Sequence, residues 1–336
     1  MPHNIFTFTT KQSMSKTNHL FTLAAVACLL ICSGISNSLL GQTPAPPPAA
    51  ARDARPAGER MVLTINNVEY AFRWCPPGTF TMGCSEMVQA VGRDMGIDIG
   101  VVWPEKKEEI QRTYRPHRVT LSRGFWMLET PVTQAMWESV MGNNPSYFRG
   151  ANLQIPVESA RLPVERVSWN EAQQFIQRLN ERLAGTPRAP AGFRFSLPTE
   201  AQWEYACRAG TTTAFHFGDT LTREQASFDL SIMVQEERGL LFARPQTSEV
   251  GRFPANAWGL RDMHGNVYEW VQDWIDDYPS GAVTDPTGPT QGVERVIRGG
   301  AFSSVATHCR SAYRYWRFPL HGDAFIGFRL ALVSEN

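Results

Sequence analysis

Between Thr43 and Arg60 the chain reads TPAPPPAAARDARPAGER, with five prolines and no large apolar side chain. Such a stretch has nothing to bury and holds an extended, semi-rigid course, so it reads as a Pro/Ala-rich linker over residues 43–60. The foldable unit is therefore residues 61–336. Ahead of the linker, Lys16 and His19 precede an apolar run from Leu20 to Ile35, interrupted only by small Thr, Ser, Cys and Gly residues. The run is shorter than the ~20 residues of a membrane span, and small residues follow it. Residues 1–42 are expected to be a signal peptide, with Met14 as an alternative start and an uncleaved anchor as the alternative fate. The expected location is exported (periplasmic, cell-surface or secreted), with no transmembrane helix once the signal is removed.

Residues 61–336 contain no second linker and no fixed-period repeat, so they read as one domain. The chain's 26 glycines and 23 prolines favour a loop-rich fold over a helical bundle. Its 43% hydrophobic and 11% aromatic content is enough to build a core. Lys+Arg 32 against Asp+Glu 32 leaves no basic excess to drive nucleic-acid binding. Of six cysteines, Cys75, Cys84, Cys207 and Cys309 lie in the foldable part. An exported location permits disulfides, several pairings are open, and the lack of a CxxC disfavours a zinc knuckle.

The runs VLTI and VEYAFRW flank Asn66-Asn67 and predict a hairpin. Residues 84–117, polar and mixed, predict an irregular surface excursion. RVTLSRGFWMLE (118–129) returns to strand alternation. Ser168 with Glu171, and Thr199 with Gln202, are capping boxes that open helices, the second ending at Gly210. After Ser168, the residues Ala172, Phe175, Ile176, Leu179 and Leu183 recur at helical spacing. A further helix is predicted over Thr133 to Met141. Helices in the first two-thirds and tight turns in the last third point to an α+β fold.

Several segments occur in a telling order: GTFTMG (78–83), ETPVTQAMWESVMGNNPSYF (129–148), PVERVSWNEAQQF (163–175), LPTEAQWEYACRAG (197–210), NAWGLRDMHGNVYEWVQDW (256–274), RVIRGGAF (295–302) and GFRL (327–330). Together they resemble the formylglycine-generating enzyme family, also called the sulfatase-modifying-factor domain, over nearly all of 61–336. The resemblance implies a C-type lectin-like fold with much irregular loop, and calcium as the bound ion. Calcium takes hard oxygen ligands, carboxylates mixed with backbone carbonyls. The positions matching a family calcium site are Asp262, Gly265 and Val267 (by their carbonyls), Glu269 and Glu129. The plainer alternative is that Asp262 and Glu269 cap a tight turn. Segment 227–249 offers no match to a second family calcium site.

The family's copper enzymes hold Cu(I) between two cysteine thiolates, soft ligands suited to that ion. Here the first of those positions is Ser304, a hard hydroxyl, and Cys309 falls at the second by direct count. Copper and the oxidase chemistry are therefore not expected, and no catalytic residue is assigned. The wording CRSAYR (309–314) better resembles a framework cysteine, and the resemblance implies a Cys207–Cys309 disulfide. Cys75 with Cys84 is a second candidate pair. No HExxH, P-loop, GxGxxG or GxSxG is present, and His264 reads as a packing residue.

Between RGG (298–300) and IGFRL (326–330) lies AFSSVATHCRSAYRYWRFPLHGDAF, which lacks Lys, Glu, Gln and Met. This stretch resembles the variable region of proteins diversified by retroelements that randomise template adenines. Its aromatics and arginines are residue types that dominate interfaces, on scaffold-held loops where binding residues concentrate. The candidate ligand-binding residues are Tyr313, Tyr315, Trp316, Arg317, Phe318, His321 and Asp323, with Phe302 expected to pack inward. The expected function is recognition of a protein or glycan through 302–325. The alternatives are oxidation of sulfatase cysteines or another activity on the same fold.

Overall fold

The hairpin forms where Asn66 and Asn67 both enter the left-handed region (φ 52° and 64°), as a type I′ turn requires. It joins β1 (Arg60–Ile65) to β2 (Val68–Cys75) in a computed structural model that describes residues 55–153, 157–184, 192–228 and 246–335. All of these lie in one compact unit beginning at Ala50. The signal-peptide reading and most of the linker fall outside the described residues. The last linker residues belong to the fold: Gly58 N–H donates to the Trp74 carbonyl (2.8 Å) and Trp74 N–H to that of Glu59 (2.9 Å). These bonds need backbone only, which is why a stretch without large side chains can dock there.

Among the described residues, three sheets form the frame. The first has the order β1-β2-β5-β12-β6, with β5 at Phe125–Leu128, β6 at Phe193–Ser196 and β12 at Ala331–Ser334. The second has the order β10-β9-β7-β11: β7 Tyr268–Trp274, β9 Arg295–Arg298, β10 Arg314–Arg317 and β11 Ile326–Phe328. β11 runs parallel to β7, and β10 is an edge. The third pairs β3 (Gly78–Met82), β4 (His117–Leu121) and β8 (Val283–Thr284).

Residues 84–117 differ from the sequence expectation of an irregular excursion. They form α1 (Met87–Met95), α2 (Ile99–Val102) and α3 (Pro104–Thr113). Met87, Val88, Ala90, Ile99 and Ile110 supply a buried side. Pro104 starts α3, where its missing N–H costs nothing, rather than breaking it.

The predicted helices form from their caps. α4 (Gln134–Met141) starts on Thr133, whose hydroxyl accepts the Met136 N–H. α5 (Trp169–Leu183) starts on the reciprocal Ser168–Glu171 bonds and buries all five residues read from its spacing. α6 (Glu200–Arg208) starts on the Thr199–Gln202 box. It stops at Ala209, left-handed at φ 45°, one residue before Gly210. α4 and α5 meet where Trp137 stacks on Phe175 at 5.3 Å, and Phe328 of β11 meets Phe175 edge-on. Around α6, Trp203, Ala206 and Cys207 pack with Met263 and Val296 as a second core. Among the described residues no helix is long and apolar enough to cross a membrane.

Candidate functional site

After β9 the chain turns through Gly299 (φ 97°) and Gly300 (φ 74°). A Cβ on Gly300 would lie 2.5 Å from the Cys309 sulfur and 3.0 Å from its Cα, so only glycine lets this strand pass over Cys309. Ser304 then closes a turn, its hydroxyl accepting the Ala301 N–H at 3.0 Å and lying 3.4 Å from the Tyr268 hydroxyl. A 3-10 turn over Ala306–Cys309 carries Cys309 into an apolar cluster with Phe215, Ala226 and Phe228. The position that would need a thiolate is thus a serine with a structural bond, and Cys309 is packed in hydrocarbon.

The disulfides expected from the resemblance and from the cysteine count are not formed: Cys75, Cys84, Cys207 and Cys309 are free thiols. Cys207 and Cys309 are both fully buried but belong to different clusters. His264 contacts both residues. Its Nδ1 lies 2.7 Å from the Cys309 carbonyl, and its Nε2 lies 3.8 Å from the Cys207 sulfur while accepting the His216 N–H at 3.2 Å. These roles place the proton on Nδ1. Burial, then the neighbouring His216 ring, hold His264 down to about 3, so the ring is neutral packing, as read from the sequence.

β10 is anchored from beneath. Arg314 binds Glu200 with two bonds (2.7 and 2.8 Å) and also donates to the Thr113 and Asp276 carbonyls. Arg298, fully buried, donates to Glu204 and to the carbonyls of Ser311, Ala312 and Tyr313. These buried charges are tolerable because each is paired and most of its remaining donors are satisfied, the Arg298 Nε–H being left without a partner.

The ligand-binding candidates divide by depth. Tyr313 is a correction: it is 8% exposed, stacked on His308 at 4.4 Å with Tyr114 beyond, because Arg298 draws its backbone inward. Phe302 is buried edge-on against Phe148, as expected. Tyr315, Trp316 and Arg317 are half-buried. Tyr315 lies against Tyr268 at 5.7 Å, and the Arg317 guanidinium sits 4.5 Å from the Tyr315 ring centre and 3.3 Å from Asp323. Phe318 is 45% exposed and meets the exposed His321 edge-on. Leu320, not singled out from the sequence, is 75% exposed. Asp323 is held by its carbonyl, which accepts the Arg166 N–H. Six of the seven candidates, all but Tyr313, thus share one ledge on an edge strand and the turn after it.

The metal candidates are less united. Among the described residues no group of three or more His, Cys, Asp or Glu side chains is arranged to hold one ion. The Glu129 carboxylate faces Arg60 and Arg73 (3.1 Å each) and Arg261 (3.7 Å). Glu269 is buried and paired with Arg329 through both oxygens (2.8 and 3.0 Å), and it also accepts the Trp203 indole N–H. Arg329 is fully buried and also reaches the carbonyls of Leu128, Glu129 and Arg261. Sequence reasoning missed this partner, although a buried glutamate's need for a counter-charge was a signal. Asp262, left-handed at φ 56°, accepts the Gly251 N–H on one oxygen, while its other oxygen is buried without a partner. Burial pushes its carboxyl up to about 6, and nearby Glu269 adds to the rise. A cation would satisfy that orphan oxygen. Of the three carboxylates, Asp262 thus has an oxygen open to a cation, whereas Glu269 is committed to Arg329 and Trp203 and Glu129 faces arginines.

Over 188 residues the chain is 35% identical to the serine/threonine-protein kinase pkn1 of Chlamydia caviae, covering 54% of this chain and 26% of that protein. It is 30% identical over 228 residues to the formylglycine-generating enzyme of Mus musculus, covering 64% of this chain and 53% of the mouse protein. The chain thus spans only part of these relatives. Among solved structures, Treponema denticola variable protein 1 superposes with a TM-score of 0.63 at 26% identity, covering 81% of this chain and 98% of that one. PvdO of Pseudomonas aeruginosa shares the fold at TM-score 0.58 and 24% identity, over 83% of this chain and 99% of its own. The expected C-type lectin-like α+β fold is the one observed. Residues 67–333 match the model of the sulfatase-modifying factor enzyme 1-like domain, and the chain belongs to that family.

Proposed function

We propose that this chain is an exported binding protein that recognises a protein or glycan through the ledge 315–323, on a formylglycine-generating-enzyme-type scaffold. The observation that carries the reading is the exposure of Phe318 and Leu320, beside half-buried Tyr315, Trp316 and Arg317, on a strand clamped from below by Arg314 and Glu200. A rigid base under exposed aromatic and apolar groups lowers the ordering cost of binding. The likeness to Treponema denticola variable protein 1 supports the reading that the segment is diversified. Asp262, with Glu269 and the carbonyls of Gly265 and Val267 nearby in sequence, would hold calcium, which would neutralise the Asp262 carboxylate and pin the 262–269 loop. Screening the chain against a glycan array and extracellular proteins should yield a ligand whose capture is lost in Trp316→Ala/Leu320→Ala. Full retention by that variant would sink the assignment.

The formylglycine-generating relatives favour a second reading, oxidation of a sulfatase cysteine. Ser304 offers no thiolate there and is engaged with Ala301. Incubation with copper, oxygen and a Cys-x-Pro-x-Arg peptide is expected to leave the thiol intact. Aldehyde formation would establish the enzyme reading instead.

A further inference from the structure

Among the described cysteines, Cys75, Cys207 and Cys309 are fully buried, whereas Cys84 is half-buried and free. It stands between β3 and α1 on the wall of a recess of about 230 Å³, with Met87, Val88, Ile110, Gln111 and Pro116. Its position is fixed. The Cys84 N–H donates to the Tyr114 carbonyl (2.9 Å), and the sulfur accepts the Glu86 N–H at 3.3 Å.

Arg310 is 8% exposed, yet among the described residues it pairs with no carboxylate, and its Nε–H is buried without a partner. The other buried arginines nearby, Arg208, Arg298 and Arg314, each meet a glutamate. A buried charge lacking a counter-ion is costly, so Arg310 is the exception that calls for an anion. Packing brings it to the Cys84 side of the fold. Thr307 bonds Asp94 of α1 at 3.0 Å, which joins the turn ahead of Arg310 to the helix that follows Cys84. Arg208 donates to the carbonyls of Gly83 and Thr213 (3.1 Å each), beside Cys84 and near Phe215, whose ring centre lies 5.9 Å from the Arg310 guanidinium. Burial raises the Cys84 thiol and the Glu86 carboxylate adds to the rise, while the Glu86 N–H and the Arg310 and Arg208 charges oppose it.

The recess decides what can reach the sulfur. A disulfide needs its two Cα atoms within about 7 Å, so a cysteine on another folded chain would have to bring its backbone to the recess. A thiol the size of one amino acid brings only itself, and its carboxylate is the counter-ion that Arg310 lacks.

We propose that Cys84 takes up a small carboxylate-bearing thiol, the size of free cysteine, as a mixed disulfide, with the Arg310 guanidinium holding the carboxylate. The co-reactant is the matching low-molecular-weight disulfide. Cys84 gives its proton to solvent and its thiolate attacks one sulfur of that disulfide. The reagent's S–S bond breaks as the new one forms, and the other half leaves as a thiolate that takes up a proton. Cys84 is thereby oxidised and the departing half reduced. The folded full chain is incubated at alkaline pH with cystine and, separately, with neutral 2-hydroxyethyl disulfide, and intact mass is followed in time. Cystine should add one cysteinyl group, removed by a reductant and absent in Cys84→Ser. Arg310→Gln should slow the cystine reaction by about tenfold, the scale of a lost charge-assisted hydrogen bond, and leave the neutral reaction unchanged. The unchanged neutral rate shows that the variant keeps its fold. No adduct on the folded chain, or an adduct that persists in Cys84→Ser, overturns the proposal. So does an Arg310→Gln variant that alters both rates alike or neither.

Discussion

Glu165 is a carboxylate fully shut from water, with one oxygen bonded to the Phe148 N–H and the other without a partner. Burial pushes it up to about 7, against an ordinary 4.5, although the Phe148 and Tyr147 N–H groups oppose the rise. Between those values the folded state holds more protons than the unfolded one. Glu165 therefore contributes stability that is present below about pH 4.5 and lost as pH rises towards about 7. His216 and His264 work the other way. Burial lowers them to about 4 and about 3 from 6.5, so their contribution is present above 6.5 and lost as pH falls. Glu165→Gln should gain roughly 2 kcal/mol over the parent at pH 8 and far less at pH 4.5, read from urea midpoints at both values. An equal change at the two pH values would mean that Glu165 stays ionised in the fold.

At the scale of elements, the segment after β9 alternates between anchor and surface. Ser311, Ala312 and Arg314 are buried and bonded beneath β10, while Trp316, Phe318, Leu320, His321 and Asp323 have access to solvent. If the segment is diversified, the neighbouring DNA should hold a reverse transcriptase gene and a near-copy of codons 300–326. Adenine-linked differences should fall on the solvent-facing codons and spare those of Ser311, Ala312 and Arg314. Sequencing of the locus checks this, and differences concentrated on the anchors would refute it. The same segment shows what was legible beforehand. The capping boxes and the Asn66-Asn67 hairpin follow from local rules, because each is decided by neighbours in sequence. Tyr313 was misplaced because its depth is set by Arg298, fifteen residues earlier on another strand, through a carbonyl that no pattern reveals. The helices of 84–117 were hidden because their apolar residues are sparse and supported only on one side. The Arg329–Glu269 pair escaped because it joins positions sixty apart.

For the molecule as a whole, that pair matters most, because it lies where two sheets meet. Arg329 follows β11 of the second sheet and donates to carbonyls at the end of β5 in the first, while gripping Glu269 on β7. The 262–269 loop enters the same junction, with left-handed residues at Asp262, Gly265 and Asn266 and one carboxylate oxygen that no protein group reaches. One guanidinium meets one of the two buried carboxylates. The second, Asp262, is left with a rising cost of ionisation that a bound cation would remove. A ligand that binds only the folded chain stabilises it by mass action, about 2.7 kcal/mol at a hundredfold excess over Kd. Calcium should therefore raise the melting temperature by roughly 5–10 °C over a chelated sample. Asp262→Ala should melt lower and lose the calcium response. Glu129→Gln should keep that response in full, since Glu129 is committed to Arg60, Arg73 and Arg261. A flat melting temperature with and without calcium would remove the ion from the scaffold. A response abolished by Glu129→Gln would return that residue to the ligand set and show that its arginines give way when the ion binds.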